Sequence, residues 1–214
     1  MAAQIFDIHS ETPQQFRITK IAHDIREGAV ILYPTDTGWA LGCDLSNKQA
    51  IKRVRDIRNI SEKHPLTFLC ESLTNISEFA KVSNSVYRAV RRLIPGPYTF
   101  ILPATRNVPR FAQDPKRKTT GIRVPDATIA MALLRELGHP LISISAKIGD
   151  EAVDDHDMLI GSLESRVDIV VTSRSYSFQG ESTVIDMTGD EFEILRPGAG
   201  IENVVEQLGI AMPV

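Results

Sequence analysis

Two cysteines, Cys43 and Cys70, are the whole thiol complement of 214 residues. They stand far apart in apolar stretches, which argues against a disulfide framework and for a reduced, cytosolic compartment. Neither has the partners that a catalytic thiol needs, so both read as small buried hydrophobes. No apolar run approaches the roughly 18 residues that cross a bilayer. The first residues, MAAQIFDIHSE, have no basic stretch leading into an apolar core, so neither a signal peptide nor a membrane partner is expected. A Walker-type glycine loop, G-x-G-x-x-G, H-E-x-x-H and G-x-S-x-G are all missing, and with them the chemistries those motifs carry. The histidines, His9, His23, His64, His139 and His156, are scattered without ligand spacing. No metal held by protein side chains and no covalent nucleophile are therefore expected.

What is present is an ordinary globular composition, 43% apolar and 24% charged, enough for one domain with a full core. The net charge of -3 hides an asymmetry: residues 1–148 sum to +8 and residues 149–214 to -11. The basic part implies an anionic partner such as a nucleotide or RNA, or else the two parts neutralise each other in the fold.

The chain is organised around AVILYPTDTGWALGCD, residues 29–44. An apolar run breaks at Pro34 into a polar loop of Thr35, Asp36, Thr37 and Gly38 and then resumes. That pattern predicts a buried strand, a turn with hydroxyls at its lip, and a second strand. Before it, Thr12-Pro13 is expected to start a helix whose face is Ile18, Ile21, Ala22 and Ile25. After it, Ser46 with Gln49 predicts a second helix start by a capping box. Ser83 and Asp126 are expected to cap two more helices, the latter closed by Gly138. LTFLC, YTFIL, TGIRV, LISIS, VDIVV, STVIDM and FEILR read as strands. Short helices are expected over Asp155–Leu163 and after Gly200. Neighbouring strands such as STVIDM and FEILR have no helix between them, which favours a mixed sheet with helices packed on it. Residues 104–118 form a basic loop. One α/β domain over residues 1–214 is expected.

Hydroxyls and cations gather at strand ends: Thr35, Arg123, Ser143, Ser145, Ser182, Thr183 and Arg196. Loops at strand ends usually build the site of an open α/β sheet. Hydroxyls can bond an amino-acid or phosphate oxygen, and arginine holds carboxylate or phosphate through two parallel bonds. The pattern points to an anionic small molecule without naming it.

Several segments carry a resemblance. YPTDTGWALGCD resembles the YPTET-YGLG opening of YrdC-like proteins, which include the threonylcarbamoyl-AMP synthases. IPGPYTFIL, TGIRVPDATIAMALL, PLISISAK, ESTVID and ILRPGA resemble further family segments in the same order, so that the likeness runs from about Ile18 to Gly200. The N-terminus and loop spacing are most similar to the YciO branch. The resemblance implies a single YrdC-like domain, a twisted mixed sheet flanked by helices with a large concave basic cavity. It also implies a cytoplasmic nucleotidyltransferase that joins L-threonine, bicarbonate and ATP, with Mg²⁺, into threonylcarbamoyl-AMP and pyrophosphate. That product serves the threonylcarbamoyladenosine modification of tRNA. By the same resemblance, Thr35, Arg123, Ser143 and Ser182 surround threonine. Arg58, Thr119, Ser145 and Arg196 surround ATP. Two departures bear on activity: in the synthases' Lys-x-Arg signature the Arg position is Ile60, and in Ser-x-Asn the Asn is Lys147. Ile60 cannot hold a phosphate, whereas Lys147 can return one positive charge to the ATP side from the opposite wall. The alternative is a binding module for double-stranded RNA or tRNA that lacks this catalysis.

Overall fold

The computed structural model describes residues 2–62, 64, 66–147 and 156–212. In chain order these carry β1 (Gln4–Asp7), α1 (Gln15–Arg26), β2 (Ile31–Thr35), β3 (Gly38–Asp44), α2 (Lys48–Arg58) and β4 (Thr67–Leu69). Next come α3 (Leu73–Phe79), α4 (Asn84–Leu93), β5 (Tyr98–Pro103), β6 (Thr119–Arg123), α5 (Thr128–Leu137) and β7 (Leu141–Ser145). The last are α6 (His156–Leu163), β8 (Ile169–Thr172), β9 (Thr183–Asp186), β10 (Glu193–Arg196) and α7 (Ile201–Leu208).

The strands form one mixed sheet in the order β1-β8-β2-β3-β7-β4-β6-β5-β9-β10. Side chains alternate between its faces, as period-two geometry demands. Leu32, Leu41 and Cys43 enter one apolar layer, which holds Ala50, Ile51 and Val54 of α2 and Val86 and Val90 of α4. Ile31 and Tyr33 enter the other, against Ile18, Ile21 and Ile25 of α1 and Leu133, Leu134 and Leu137 of α5. Helices therefore cover both faces, and burying each large aliphatic side chain stabilises the fold by roughly 1.5–3 kcal/mol.

The ladder at β10 is irregular. Ile194 faces Ile185 but Arg196 faces Val184, so Leu195 is an extra residue bulged out of the pairing and half exposed.

Several local expectations shift. Pro34 does not break β2; it pairs with Trp39, and the hairpin turn is only Asp36-Thr37. Thr12 does not cap α1, because its hydroxyl bonds His9 Nδ1 and the helix begins at Gln15 after Gln14. At α2 the cap is Asn47, whose side chain accepts from the Ala50 amide, while Ser46 donates to Asp44. Asp126 lies one residue outside the α5 cap, Ala127. Ser83 caps α4 as expected. β1 and α3 were not foreseen. Asp155, the expected start of the helix that ends at Leu163, lies outside the described residues.

Candidate functional site

Strand register builds the site. Ser143, Thr67, Gly121 and Ile101 fall in one row across β7, β4, β6 and β5. Beside it, Leu69 pairs with Arg123, and Thr99, Val184 and Arg196 form a second row across β5, β9 and β10. The intervening Phe68, Phe100, Ile122 and Ile142 point to the opposite face, into the apolar layer. These strands are thus apolar on one side and polar on the other, and the polar side borders a hollow of about 210 Å³.

Thr35, Arg123, Ser143, Ser145, Ser182 and Arg196 all line this hollow. Thr35 donates to the Gly38 carbonyl at 2.7 Å and accepts from the Thr37 amide at 3.2 Å, which fixes the hairpin turn. Ser143 accepts from the buried Tyr33 hydroxyl at 2.8 Å. Burial pushes that phenol up, so it stays protonated and keeps donating. Ser182 bonds Thr99 at 2.9 Å, and its carbonyl accepts from Arg196 Nη2 at 2.8 Å. Arg123 donates to Thr37 Oγ1 and pairs with Asp36. Both members of this pair are buried. Among the described residues Asp36 Oδ2 and Arg123 Nε have no hydrogen-bond partner.

Thr119 does not reach the hollow. It lies at the start of β6, four residues or ~13 Å of strand from Arg123. Arg58, the last residue of α2, donates to the Lys147 carbonyl at 3.5 Å and stands outside the lining. Lys147 Nζ pairs with Glu181 Oε1 at 2.7 Å, and Arg196 Nη1 reaches Glu181 Oε2 at 3.3 Å. The Lys147 hydrogen bond, with Arg196 nearby, outweighs partial burial and holds the Glu181 carboxyl below its usual range. The charge expected from Lys147 is therefore present but balanced. Around the hollow, three cations (Arg123, Lys147 and Arg196) meet two carboxylates (Asp36 and Glu181).

Sequence reasoning missed Gly121, Trp39, His64 and Glu181. A Cβ on Gly121 would meet Thr67 Oγ1 at 3.1 Å, Thr99 Cγ2 at 3.4 Å and Ile101 Cδ1 at 3.6 Å. Those three residues all line the hollow, so the missing side chain keeps its floor open. Trp39 lines it too; its buried Nε1 has no acceptor among the described residues, and its ring packs on Tyr176 at 5.0 Å. Burial first, then Arg55 and Arg58, lower the pKa of His64 and favour its neutral, proton-accepting form. The basic loop lies elsewhere: Arg106, Arg110 and Lys118, with Lys81, line a separate cleft of about 730 Å³. The cysteines are buried, as read from the sequence. No group of three or more His, Cys, Asp or Glu among the described residues could hold a metal ion. No helix among them is long and apolar enough to cross a membrane.

Comparison with known proteins agrees with this architecture. Residues 23–198 match the Sua5/YciO/YrdC family model, described as telomere recombination. YciO of Escherichia coli, an uncharacterised protein, is 40% identical over 200 residues, 92% of this chain and 97% of its own. Its crystal structure superposes with a TM-score of 0.87. A threonylcarbamoyl-AMP synthase of Pyrococcus abyssi is 27% identical over 206 residues, 94% of this chain and 60% of that protein. The crystal structure of P. abyssi Sua5 complexed with L-threonine superposes with a TM-score of 0.84 at 27% identity, covering 95% of this chain and 61% of that one. With its family model matched over most of its length and this mixed sheet shared with YciO and Sua5, the chain belongs to the Sua5/YciO/YrdC family.

Proposed function

We propose that the chain binds L-threonine in the hollow and ATP at its Ser145/Arg196 mouth, and forms threonylcarbamoyl-AMP from them and bicarbonate at a reduced rate. The observation that carries this reading is the convergence of Thr35, Arg123, Ser143, Ser182, Ser145 and Arg196, from five different strands or strand edges, on one hollow. At about 210 Å³ it is smaller than the roughly 300–1,000 Å³ typical of drug-sized ligands, which suits a small amino acid. Arg123 offers its guanidinium to the threonine carboxylate, and Ser143 and Ser182 offer hydroxyls. The nucleotide then extends outwards past Arg196 and Lys147 towards Arg58.

The chemistry asked of these residues is positioning and charge stabilisation. Threonine's amine and bicarbonate form a carbamate with loss of water; a carbamate oxygen then attacks the α-phosphorus, the bond to the β-phosphate's bridging oxygen breaks, and pyrophosphate leaves. Arg196 and Lys147 stabilise charge on the departing group. Mg²⁺ carried by the triphosphate would supply further neutralisation; Asp36 and Glu181 already pair with cations, which leaves the phosphates as the groups that would hold it. Ile60, half-buried against the apolar layer, contributes no charge, and losing a transition-state contact of that kind costs about 10²–10³ in rate. Pyrophosphate release from ATP, measured with and without threonine and bicarbonate, is the test. Stimulation by both together is expected; a rate indifferent to them defeats the synthase reading.

The cleft lined by Lys81, Arg106, Arg110 and Lys118 favours a second reading, RNA binding. A duplex cannot enter a hollow of about 210 Å³, but its phosphates can lie along the wider cleft. Such binding weakens steeply with salt. A mobility shift across a salt series checks it, and affinity insensitive to salt counts against it.

A further inference from the structure

The side chain of Glu181 occupies the ground between two cations on opposite sides of the hollow's mouth. Lys147 follows the end of β7, whereas Arg196 ends β10. Glu181 spends one carboxylate oxygen on each, at 2.7 Å and 3.3 Å. The rest of the Arg196 fork is occupied as well: Nε and Nη2 donate to the Ser182 carbonyl, and Nη2 also reaches Ser182 Oγ at 3.1 Å. A guanidinium has five N–H donors in a fixed plane, so a phosphate that takes the Nη1 edge of Arg196 competes with the Glu181 carboxylate. The same holds for the Lys147 ammonium.

We propose that Glu181 is an internal competitor for anions at the mouth of the site, a carboxylate that stands where a phosphate group of the ligand must bind and swings away when it does. This rests on the reading that Arg196 and Lys147 face phosphate. The carboxylate can move: the Glu181 and Arg196 side chains are 40% and 45% exposed, so water replaces the bond released to Arg196, and Lys147, 22% exposed, keeps partial access to solvent. Exposed ion pairs contribute little net energy, so exchanging one anion for another here is inexpensive. The arrangement sets selectivity. A lone phosphate gains two cations only by giving up their existing partner. A ligand that also fills the hollow adds contacts with Ser143, Ser182 and Arg123, and displaces Glu181 with that extra binding energy. Lys147 thereby departs in two ways from the asparagine it replaces: it brings a positive charge and it anchors the competitor.

Calorimetry with inorganic pyrophosphate at low salt, without Mg²⁺, tests the inference. Glu181→Gln keeps the shape and removes the charge. It is expected to bind pyrophosphate about 3- to 10-fold more tightly than the parent chain. Glu181→Asp keeps the charge but is one methylene too short to span both cations, and is expected to bind more tightly than the parent as well. Unchanged or weaker binding in Glu181→Gln overturns the inference. Tightening in Glu181→Gln with parent-like binding in Glu181→Asp also overturns it, since it reduces the effect to net charge. If the parent chain takes no pyrophosphate and Glu181→Gln does, the competitor stands, and ATP titrated into the parent with threonine present decides the nucleotide reading, which fails if no binding is seen there. If both bind equally, the competitor fails and the nucleotide reading stands.

Discussion

The site holds two cation–carboxylate clusters that differ in almost everything except their chemistry. At the floor, Arg123 and Asp36 are 7% and 2% exposed, and Arg123 also bonds Thr37. At the mouth, Lys147, Glu181 and Arg196 stand in contact with water. Burial makes the floor pair expensive to disturb, because either ion left alone there loses both its partner and its solvation. Exposure makes the mouth cluster cheap to rearrange. The floor is therefore structural scaffolding that keeps a guanidinium in place, and the mouth is exchangeable.

The sharpest way to break this contrast is to remove one partner from each cluster. Arg123→Ala strands Asp36 and is expected to destabilise the fold by about 3–5 kcal/mol, lowering the melting temperature by on the order of 10 °C. Glu181→Ala is expected to cost at most about 1 kcal/mol. Equal melting temperatures for the two variants in calorimetry would erase the distinction between floor and mouth. Next in size, Gly121→Val puts a branched side chain among Thr67, Thr99 and Ile101 and should lower threonine affinity at least about tenfold while the strand persists. Titration calorimetry with L-threonine reads this, and undiminished affinity would place the amino acid elsewhere. Arg196→Ala removes a charge-assisted contact at the mouth and is expected to weaken ATP binding by roughly tenfold. Retained ATP affinity would show that nucleotide does not use this edge.

The smallest effect concerns a pair outside the site. Burial opposes ionisation of Asp44, but hydrogen bonds from His139 and Ser46 outweigh it and bring the carboxyl to about 2. The hydrogen bond to Asp44 outweighs partial burial of His139 and raises the pKa of its imidazole. The Asp44 contribution to stability is present above its unfolded value near 3.8 and fades as pH falls towards 2. The His139 contribution is complete below 6.5 and fades as pH rises through its higher folded value. Their joint contribution is therefore greatest between roughly pH 4 and 6.5. Denaturant midpoints of His139→Gln should converge on those of the parent as pH rises past neutrality. A constant gap across that range would mean that protonation of His139 does not matter.

Much of this molecule is legible from the chain because its signals are local. The run AVILY, the helix stripe Ile18, Ile21, Ala22 and Ile25, and Gly138 after Leu137 each announce an element within a few residues. β1 escaped because four residues with one buried side chain carry no readable alternation, and LTNISEF escaped because its residues favour turns as much as helix. Strand-end hydroxyls and arginines were readable as a set. Their partners were not. Arg123 finds Thr37 across 86 positions, and nothing near Gly121 says that its bare face opens onto Thr67. Thr119 stands apart from the hollow for the related reason that sharing a strand with Arg123 does not mean sharing a neighbourhood.

The bulge at Leu195 has an evolutionary consequence. β10 is the sheet's last strand and is held from one side only. If the bulge closed and pairing ran on regularly from Ile194, Leu195 instead of Arg196 would lie opposite Val184, and an isobutyl group would take the guanidinium's place at the mouth. Closing that bulge would thus convert a cationic mouth into a greasy one while Ile194 kept its place opposite Ile185 in the core. A lineage could change the side chain its members present at this rim by gaining or losing one bulge.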